Sequence, residues 1–508
     1  MKKILIVLLI LISMMLSGCE FLSDLVSGND VVTEQGHTDE DNNGLCDGCK
    51  QKVTVDISLY NLNDFHGKMS ESEKQPGADE LSTYLKNASN APNTILLSSG
   101  DMWQGGSESN LTRGLIVTDW MNELDFAGMT LGNHEFDWGE EYIMENEKLA
   151  EFPFLAINVF DRDTDQRVEY CAPSVTVEVS GIQVGIIGAI GDCYSSISKD
   201  KTEGVYFKVG SELTKLVKEE ATKLRGEGVD LIIYSLHDGA SQSQTTNTIP
   251  STRLSSYYDA SLSSGGYVDI VFEGHTHKSY AMYDTYGVYH LQGGGDNAGI
   301  THASVSVNFA NSKVKVRSAK VIRNNVYELE EDDPFFEELF EKYKELISKG
   351  EEPLGYNSGS ILSSNICRLV AYLYAQHGES VWGDEYDIVL GGGYLSTRSP
   401  YNLAAGEVTY SDLVALLPFD NEIVLGSISG ASLKQRFIEA DNGNYYSSFT
   451  EYGESIKDSI DPTETYYIIV DSYTSQYGPN NITVVEVFDP TFFARDLVAE
   501  YIRLGGLE

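Results

Sequence analysis

Residues able to bind metal ions follow five apolar segments of strand length. These segments span residues 53–60, 94–99, 128–131, 229–236 and 268–272. The polar residues that follow them are, in chain order, Asp64 and His66, Asp101, then Asn133, His134 and Asp137, His237, and finally His275 and His277. Because the carboxyl ends of strands in an α/β sheet meet at the edge where ligands bind, we expect these side chains to share one crevice.

The composition of this set indicates a metal centre. Five of the nine histidines in the chain belong to it. A single histidine at a strand end is more often structural, but five together with aspartate and asparagine favour a functional site. Mixed oxygen and imidazole donors suit zinc, manganese, iron or cobalt better than a cysteine-built zinc site or an all-oxygen calcium site. The candidate ligands are too many for one ion, so they favour two ions that share a carboxylate, as in two-metal hydrolases.

The charge balance restricts the partners of the chain. It carries 35 basic and 77 acidic residues among 508, a formal net charge of −42. This charge repels nucleic-acid backbones and anionic lipid headgroups, which argues against a nucleic-acid polymer as partner. It would also repel a phosphorylated substrate. Two divalent cations beside Asp64 and Asp101 would reverse the charge locally and attract phosphate.

The elements that must position these residues have the pattern of an α/β fold. From residue 53 to about residue 320, apolar runs of strand length alternate with helical or irregular segments. Residues 334–349 then show the apolar period of an amphipathic helix, with Pro334 at its start and Gly350 after its end. Strands and helices are mixed again from residue 356 onward. The length of the chain favours two domains.

Five sequence blocks carry a resemblance to a known family. They are Asn63-Asp-Phe-His-Gly67, Gly100-Asp101, Gly132-Asn-His-Glu-Phe-Asp137, Leu236-His237 and Gly274-His-Thr-His277. Together they resemble the calcineurin-like metallophosphoesterase signature, in the branch of the secreted and periplasmic 5′-nucleotidases. The resemblance implies a four-layer α/β/β/α sandwich over residues 53–330, a linker helix within 331–355, and a smaller α/β substrate-binding domain over 356–508.

The resemblance also implies a role for each residue of the crevice. One divalent ion, zinc, manganese or similar, would be held by Asp64, His66, Asp101 and His277. A second ion would share Asp101 and be held by Asn133, His237 and His275. His134, oriented by Asp137, would face the phosphate as a catalytic dyad while a metal-bound hydroxide attacks phosphorus.

The second domain resembles the 5′-nucleotidase C-terminal domain in segments 386–393, 406–413, 417–421 and 426–433. By this resemblance Phe419 stacks on a nucleobase, Asn421 bonds the edge of the base, and Tyr473 supplies a second ring. A core phenylalanine behind a proline turn is the alternative for Phe419. Arg398 is the candidate for phosphate binding, although it lies five residues beyond the glycines that it directly follows in the family. Asn133 completes the predicted substrate contacts.

The expected activity is therefore hydrolysis of nucleotides to nucleoside and phosphate. The metal-binding motifs do not separate this activity from several alternatives on the same scaffold, because specificity depends on the second domain. These alternatives are hydrolysis of 2′,3′-cyclic nucleotides or 3′-nucleotides, of nucleotide-sugars, and of sulfur compounds. A surface binding protein without catalysis is the alternative from another class. No protein partner is expected.

The N-terminus resembles a bacterial lipoprotein signal over residues 1–19. Lys2 and Lys3 precede an apolar run from Ile4 to Leu16 that is too short for an ordinary membrane span. The run ends in Leu16-Ser17-Gly18-Cys19, which resembles a lipobox with Cys19 as the lipidated residue. We expect a protein that is anchored to the cell membrane and acts outside the cytoplasm.

Residues 20–52 form an acidic segment that we interpret as a tether between anchor and domain. Asp39, Asp41 and Asn43, followed by Gly44, match the first half of an EF-hand calcium loop, but Lys50 stands where the last glutamate belongs. His37, Cys46 and Cys49 would give zinc only three ligands at unusual spacing. A plain linker is the favoured interpretation, with a calcium site near Asp39, Asp41 and Asn43 left open.

Overall fold

Two facing six-stranded sheets form the larger part of the structure. The computed structural model describes residues 37–71, 77–250, 254–255, 258–327, 333–398, 402–435, 446–447, 459–477 and 482–507. The predicted signal and the lipobox Cys19 lie outside these residues. Among the helices of the described ranges, none has the length and apolar character needed to cross a membrane.

The first sheet has the strand order β14-β13-β1-β2-β3-β4. Its strands are β1 (Thr54–Leu62), β2 (Thr94–Ser98), β3 (Phe126–Thr130), β4 (Phe154–Leu155), β13 (Gly299–Asn308) and β14 (Lys313–Arg323). β1 runs parallel to β2, with Leu62 opposite Ser98, and antiparallel to β13, with Leu59 opposite Ala303. The carboxyl ends of β1, β2 and β3 therefore lie side by side at one edge.

The second sheet has the order β11-β12-β10-β9-β7-β6. Its strands are β6 (Ser174–Val179), β7 (Ile182–Ile190), β9 (Leu231–His237), β10 (Ile270–Glu273), β11 (Ser279–Tyr283) and β12 (Tyr289–Gly293). β9 is parallel to both β7 and β10, so the ends of these three strands also meet. Two short strands, β5 (Val159–Asp161) and β8 (Val205–Phe207), pair outside the two sheets.

The sheets pack face to face and are covered by helices on their outer sides. Alternate residues of each strand face the core between the sheets, such as Ile57 and Leu59 of β1 and Ile233 of β9. Tyr234, the next residue of β9, is buried in a separate core under the helices. The helices are α1 (Ala78–Ser89), α2 (Ser107–Leu111), α3 (Leu115–Glu123), α4 (Glu140–Leu149), α5 (Ser211–Gly226) and α6 (Ser261–Ser264). The predicted four-layer α/β/β/α sandwich is confirmed.

The predicted amphipathic helix is present as α7 (Phe335–Ile347), with Pro334 at its N-cap. It buries Leu339 and Tyr343 against the first domain. The Tyr343 hydroxyl donates to Asp119 Oδ2 of α3 at 3.0 Å. Burial of its apolar face on α3 therefore attaches the linker helix to the catalytic domain.

The second domain is a smaller α/β unit with its own core. Its five-stranded sheet has the order β19-β16-β20-β18-β21, and β15 pairs with β17. The strands are β15 (Pro353–Asn357), β16 (Ile388–Gly393), β17 (Gly406–Thr409), β18 (Ile423–Ser429), β19 (Tyr446–Ser447), β20 (Thr465–Asp471) and β21 (Thr483–Val487). The helices are α8 (Ser363–Trp382), α9 (Tyr410–Leu416), α10 (Gly430–Leu433), α11 (Ser472–Tyr477) and α12 (Ala494–Arg503).

Candidate active site

The predicted ligand residues form one cluster at the shared edge of the two sheets. Ligand atoms of Asp64, His66 and His277 lie within 4.8 Å of one another, and so do those of Asp64, Asp101 and His237. His275 joins the cluster through its backbone N–H, which donates to Asp64 Oδ1 at 2.9 Å, and Asn133 Oδ1 lies 3.0 Å from His275 Nδ1. The structure therefore places all seven side chains together, as expected if each follows its own strand.

The backbone is strained at most of these positions. Left-handed φ angles between 50° and 68° occur at Asp64, His66, Asp101, His275 and His277. Residues other than glycine rarely adopt this conformation, and where they do they concentrate at functional sites. The strain turns each side chain out of its strand direction and into the crevice.

Two histidines have their tautomers fixed by backbone carbonyls. His66 Nδ1 donates to the Gln104 carbonyl oxygen at 2.8 Å, and His237 Nδ1 donates to the Ser99 carbonyl oxygen at 2.6 Å. Because a carbonyl only accepts, each neutral ring directs the lone pair of Nε2 into the cluster. This is the outer hydrogen bond that orients histidines which bind metals.

Ring nitrogens of the cluster lie close to a carboxylate and to one another. His237 Nε2 lies 3.1 Å from Asp101 Oδ2, and His66 Nε2 lies 3.1 Å from His277 Nε2. Burial lowers the pKa of His237, but the Asp101 charge outweighs it and raises the pKa to about 10. Burial and the nearby Arg398 charge keep the pKa of His66 well below its usual value, so its ring is neutral.

The donors therefore fit divalent cations. Carboxylate and imidazole atoms of the cluster lie within 4.8 Å of one another in two groups of three residues, and the Asn133 amide oxygen lies beside the His275 ring. A cation between Asp101 and His237 would supply the positive charge that a proton supplies in its absence. Asp64, His66, Asp101 and His277 would hold one ion, and Asp101, Asn133, His237 and His275 a second. The identity of the ions stays a prediction.

His134 and Asp137 form a hydrogen-bonded pair beside this cluster. His134 begins the 3₁₀ turn His134–Phe136, and Asp137 follows it. His134 Nδ1 lies 2.7 Å from Asp137 Oδ2, and the two side chains are 16% and 15% exposed. The His134 ring packs 5.3 Å from the His66 ring, between centroids. The geometry is that of a carboxylate orienting an imidazole at the mouth of the metal cluster.

Arg398 extends from the second domain into the same cluster. Its guanidinium donates to Gln104 Oε1, and Nη2 lies 3.2 Å from His134 Nε2 and 3.4 Å from His66 Nε2. Its backbone N–H donates to the Leu416 carbonyl oxygen at 2.8 Å, which attaches the loop to α9. The displacement of Arg398 from the glycines in sequence therefore does not remove its charge from the site.

The three predicted base contacts are placed differently. The Phe419 ring lies 6.1 Å from the His134 ring and 5.8 Å from the Arg398 guanidinium, so it borders the cluster and is only partly buried. Asn421 follows it two residues later and is also partly exposed. The ring contacts of Tyr473 are with Tyr394 at 6.5 Å and Tyr477 at 4.9 Å. Phe419 is thus at the reacting end of the crevice. Tyr473 belongs to a group of tyrosines on the second domain, and burial together with the charges of Tyr394, Asp471 and Asp137 raises the pKa of its hydroxyl, so this ring also lies near the dyad.

Glu135 is a residue to which the sequence analysis gave no role. Its buried carboxylate accepts the backbone N–H groups of Asp101, Met102, Trp103 and Gly132, at 2.6 to 3.3 Å. Glu135 thereby links two turns: the turn after β2, which holds Asp101, and the turn after β3, which holds Asn133. Its place between Asn133, His134 and Asp137 was the only signal in the sequence, because three of the four donors are more than 30 residues away along the chain.

Cys193 was also missed, since the predicted donor set held no sulfur. Its Sγ lies within 4.8 Å of ring nitrogens of His237 and His275, and the thiol donates to the His237 carbonyl oxygen at 3.1 Å. Burial raises the pKa of the Cys193 thiol well above its usual value. The residue is therefore a neutral thiol that packs against the metal cluster.

Two family models match the chain at these two domains. The calcineurin-like phosphoesterase model matches residues 57–279, and the model of the 5′-nucleotidase C-terminal domain matches residues 364–451. The chain belongs to the 5′-nucleotidase family of metallophosphoesterases. A member of this family is a hydrolase that acts on phosphate esters.

Characterised relatives of this family align over most of the chain. An apyrase of Tabanus yao is 24% identical over 423 residues, which cover 76% of this chain and 73% of the relative. The protein UshA of Yersinia enterocolitica is 23% identical over 525 residues, which cover 89% and 91% of the two chains. The crystal structure of a 5′-nucleotidase precursor from Thermus thermophilus has a similar fold, with a TM-score of 0.66, 18% identity, and coverage of 89% and 96%.

The segment interpreted as a plain tether, with a calcium site left open, forms a folded loop from residue 37 onward. Asp39 is buried, and its carboxylate accepts the N–H groups of Asn43 at 3.0 Å and Gly44 at 2.9 Å and the side-chain amide of Asn308 at 2.6 Å. Oxygens of Asp39, Asp41 and Asp47 lie within 4.8 Å of one another. Calcium binding here stays a prediction.

Proposed function

We propose that this protein hydrolyses nucleotides to nucleoside and phosphate at a two-metal centre formed by Asp64, His66, Asp101, Asn133, His237, His275 and His277. One observation carries the proposal. Arg398 of the second domain meets His134 at 3.2 Å, directly beside the metal cluster of the first domain. A cation, an oriented imidazole and a metal cluster that meet at one point can together bind and hydrolyse a phosphate monoester.

When bound, two divalent ions would supply Lewis acidity toward the phosphoryl oxygens and lower the pKa of an attacking water. The chain supplies the remaining groups. Arg398 offers a planar fork of donors that matches two phosphoryl oxygens. Because Arg398 only donates, His134 Nε2 accepts in the present arrangement and Nδ1 carries the proton that it donates to Asp137.

A phosphate entering between Arg398 and His134 changes this arrangement. Its negative oxygens separate the two groups and favour protonation of His134 at Nε2. The Asp137 carboxylate stabilises the resulting imidazolium from the other side of the ring. His134 can then donate to the phosphoryl oxygens or to the leaving oxygen as charge develops there.

Phe419 supports a nucleotide rather than a simple phosphate ester as substrate. Its partly exposed ring stands beside His134 and Arg398, at the place where the group attached to the phosphate must lie. A flat ring at this position can stack on a base of any identity. Relatives that are named 5′-nucleotidase and apyrase agree with this class of substrate.

The decisive experiment measures phosphate release by the full chain in detergent, with added Mn²⁺, Zn²⁺ or chelator. The substrates are AMP, a 3′-nucleotide, a 2′,3′-cyclic nucleotide, a nucleotide-sugar and p-nitrophenyl phosphate, with added phosphatase for the two diesters. We expect turnover that depends on metal and is highest for AMP, and none from an Asp101→Asn control. Bound metals without turnover of any ester would overturn the proposal in favour of a binding protein.

We further propose that the protein acts outside the cytoplasm and is held to the cell membrane through lipidated Cys19. The support is the sequence pattern of Lys2, Lys3, the short apolar run and Leu16-Ser17-Gly18-Cys19. Cell fractionation tests this proposal. The Cys19→Ala chain should leave the membrane fraction, and membrane retention without lipid would contradict the anchor.

A further inference from the structure

A second group of metal-binding side chains lies in the loop of residues 37–52, before the first strand. The loop closes on itself, because the Cys46 N–H donates to the Gln51 carbonyl oxygen at 2.8 Å and the Val53 N–H to that of Gly44 at 3.0 Å. It also docks on the turn between β13 and β14. There the Asn311 side-chain amide donates to the Asp39 carbonyl oxygen at 3.2 Å, and the His37 ring meets the Phe309 ring edge to face at 6.2 Å between centroids.

Three donors of the loop converge on one point. A ring nitrogen of His37 and the sulfurs of Cys46 and Cys49 all lie within 4.8 Å of one another. Cys49 Sγ is 3.5 Å from His37 Nδ1. With bonds of about 2.0–2.1 Å to nitrogen and 2.3 Å to sulfur, a tetrahedral zinc ion holds its nitrogen and sulfur ligands about 3.5 Å apart. The observed spacing therefore suits a shared zinc ion, and neither cysteine is in a disulfide.

The backbone around the two cysteines also suits a bound thiolate pair. The Cys49 N–H points at Cys46 Sγ at 3.4 Å, and the Lys50 N–H donates to the Cys46 carbonyl oxygen at 2.8 Å. Lys50 takes a left-handed φ of 63°, which reverses the chain directly after Cys49. This turn places both sulfurs on the same side, and an N–H group that faces a sulfur stabilises its negative charge.

We propose that His37, Cys46 and Cys49 bind a zinc ion, separate from the catalytic metals, with its fourth position open to solvent. Binding releases the two thiol protons, so that two thiolates and one neutral imidazole complete the site. Two sulfur donors select zinc over manganese, magnesium or calcium, which prefer oxygen. The ion would join His37 to the turn that precedes β1.

The proposed site is distant from the catalytic cluster. β1 begins at Thr54 beside the loop and ends at Leu62 beside Asp64. A strand of this length spans about 27 Å at about 3.3 Å per residue. Loss of zinc from the loop should therefore leave turnover unchanged, which separates this proposal from that of the catalytic function.

The first test counts metal ions in the full chain purified in detergent, by elemental mass spectrometry. We expect the Cys46→Ser/Cys49→Ser chain to contain one zinc ion fewer than the wild type and to keep its turnover. Asp41→Asn, an exposed change in the same loop, serves as the matched control and should lose no zinc. Equal zinc in the wild type and the double variant would overturn the proposal.

The second test identifies the ligand atoms by spectroscopy. Co²⁺ added to the reduced wild-type chain after chelation should produce the near-ultraviolet charge-transfer band of thiolate bound to cobalt. The band should persist in Cys193→Ser, which removes the thiol next to the catalytic cluster, and weaken in His37→Asn. A disulfide between Cys46 and Cys49 in the purified chain, with no cobalt band after reduction, would contradict the site.

Limited digestion by trypsin gives a third measurement. Lys50 and Lys52 are exposed on the loop. At a free concentration of ten times its Kd, zinc that binds only the folded loop lowers the open population about elevenfold. Cleavage at these lysines should therefore slow about tenfold with zinc in the wild type but not in the double variant. Equal rates with and without zinc would show that no ion holds the loop.

Discussion

The metal-binding edge of the first domain and the substrate-facing surface of the second are built in different ways. At the edge, each candidate ligand follows its own strand within one sandwich, and the sheet order alone brings the ligands together. On the second domain, Arg398 and Phe419 stand on loops. They meet His134 only because the two domains dock. His134 and Arg398 are 264 residues apart in the chain.

This difference separates chemistry from specificity. Ligands fixed by sheet topology define what reaction the centre can catalyse. Groups that a second domain brings to the centre define which ester is positioned for it, and they can change without disturbing the metals. Variants on either side of the contact between His134 and Arg398 should therefore act on different kinetic constants.

The largest effect is expected on the first domain, from His134→Ala. Loss of an oriented proton donor should lower kcat by about 10²–10⁴-fold. Metal content should not change, because the ring lies beside the ligands. The measurement is kcat for AMP, together with the metal content of the same preparation.

His302→Ala is the matched control for His134→Ala. His302 lies on β13 against Tyr60, with ring centroids 4.5 Å apart, and outside the cluster. It should keep normal turnover. Near-normal kcat in His134→Ala with both metals bound would show that His134 takes no part in the reaction.

The next effect concerns Arg398, the cation of the second domain. Removing a charge-assisted contact to phosphate costs about 1.5–3 kcal/mol, so Arg398→Met should lower kcat/KM by about 10- to 150-fold. Arg398→Lys keeps the charge but not the planar fork and should restore only part of the loss. The measurement compares kcat/KM for AMP with that for p-nitrophenyl phosphate.

Both substrates should suffer equally in the Arg398 variants, since both carry the phosphate that the guanidinium faces. A loss confined to AMP would mean that Arg398 contacts the nucleoside part instead. Unchanged kcat/KM for both would show that the contact between Arg398 and His134 does not persist during turnover.

A smaller and more selective effect is expected from Phe419→Ala. Stacking on a base is worth about 1–3 kcal/mol, so KM for AMP should rise by about 5- to 150-fold while kcat changes little. KM for p-nitrophenyl phosphate should stay near its wild-type value, because that ester has no base. Equal changes for the two esters would support the alternative in which Phe419 is a packing residue.

The sequence predicted that the candidate ligand side chains lie together, because the pattern of strand followed by polar residue is local. An apolar strand that ends in Asp101 or His237 specifies where that side chain must lie once neighbouring strands are parallel. Period and length predicted the alternation of strands and helices and the amphipathic helix near residues 334–349, whereas the four-layer sandwich was implied by the family resemblance. The strained φ angles at Asp64 and His275 could not be predicted, because aspartate and histidine adopt this backbone conformation too rarely for the residue type to indicate it.

The parts that escaped prediction depend on contacts between distant residues. Glu135 ties two turns together through four backbone donors, which no spacing rule describes. Arg398 was in doubt because its distance from Gly393 differs from the family pattern, yet its loop brings the guanidinium to Gln104 and His134. The 37–52 segment was interpreted as a linker because its packing depends on a distant residue. The hydrogen bond between Asp39 and Asn308 of β13 joins residues that are 269 positions apart.

The smallest effect tests the docking of the domains itself. Asp420, next to Phe419, accepts from Arg113 of the first domain and Arg495 of α12. Burial raises the pKa of Asp420, but the two arginines outweigh it and hold the pKa below its usual range. The ionised carboxylate therefore stabilises the fold above about pH 4, the usual range of a free aspartate, and this contribution is lost as the pH falls further through the lowered pKa.

We expect Asp420→Asn to lower the free energy of unfolding at pH 7 by about 1.5 kcal/mol, the worth of a hydrogen bond to a charged group. The gap between wild type and variant should close as the pH falls below about 4, because the wild type then loses the same charge. Denaturant unfolding across pH 3–7 measures this gap, with the exposed Asp163→Asn as control. A gap that keeps its pH 7 value down to pH 3 would mean that Asp420 acts through packing, and that the contact between Arg398 and His134 is held by other parts of the domain surface.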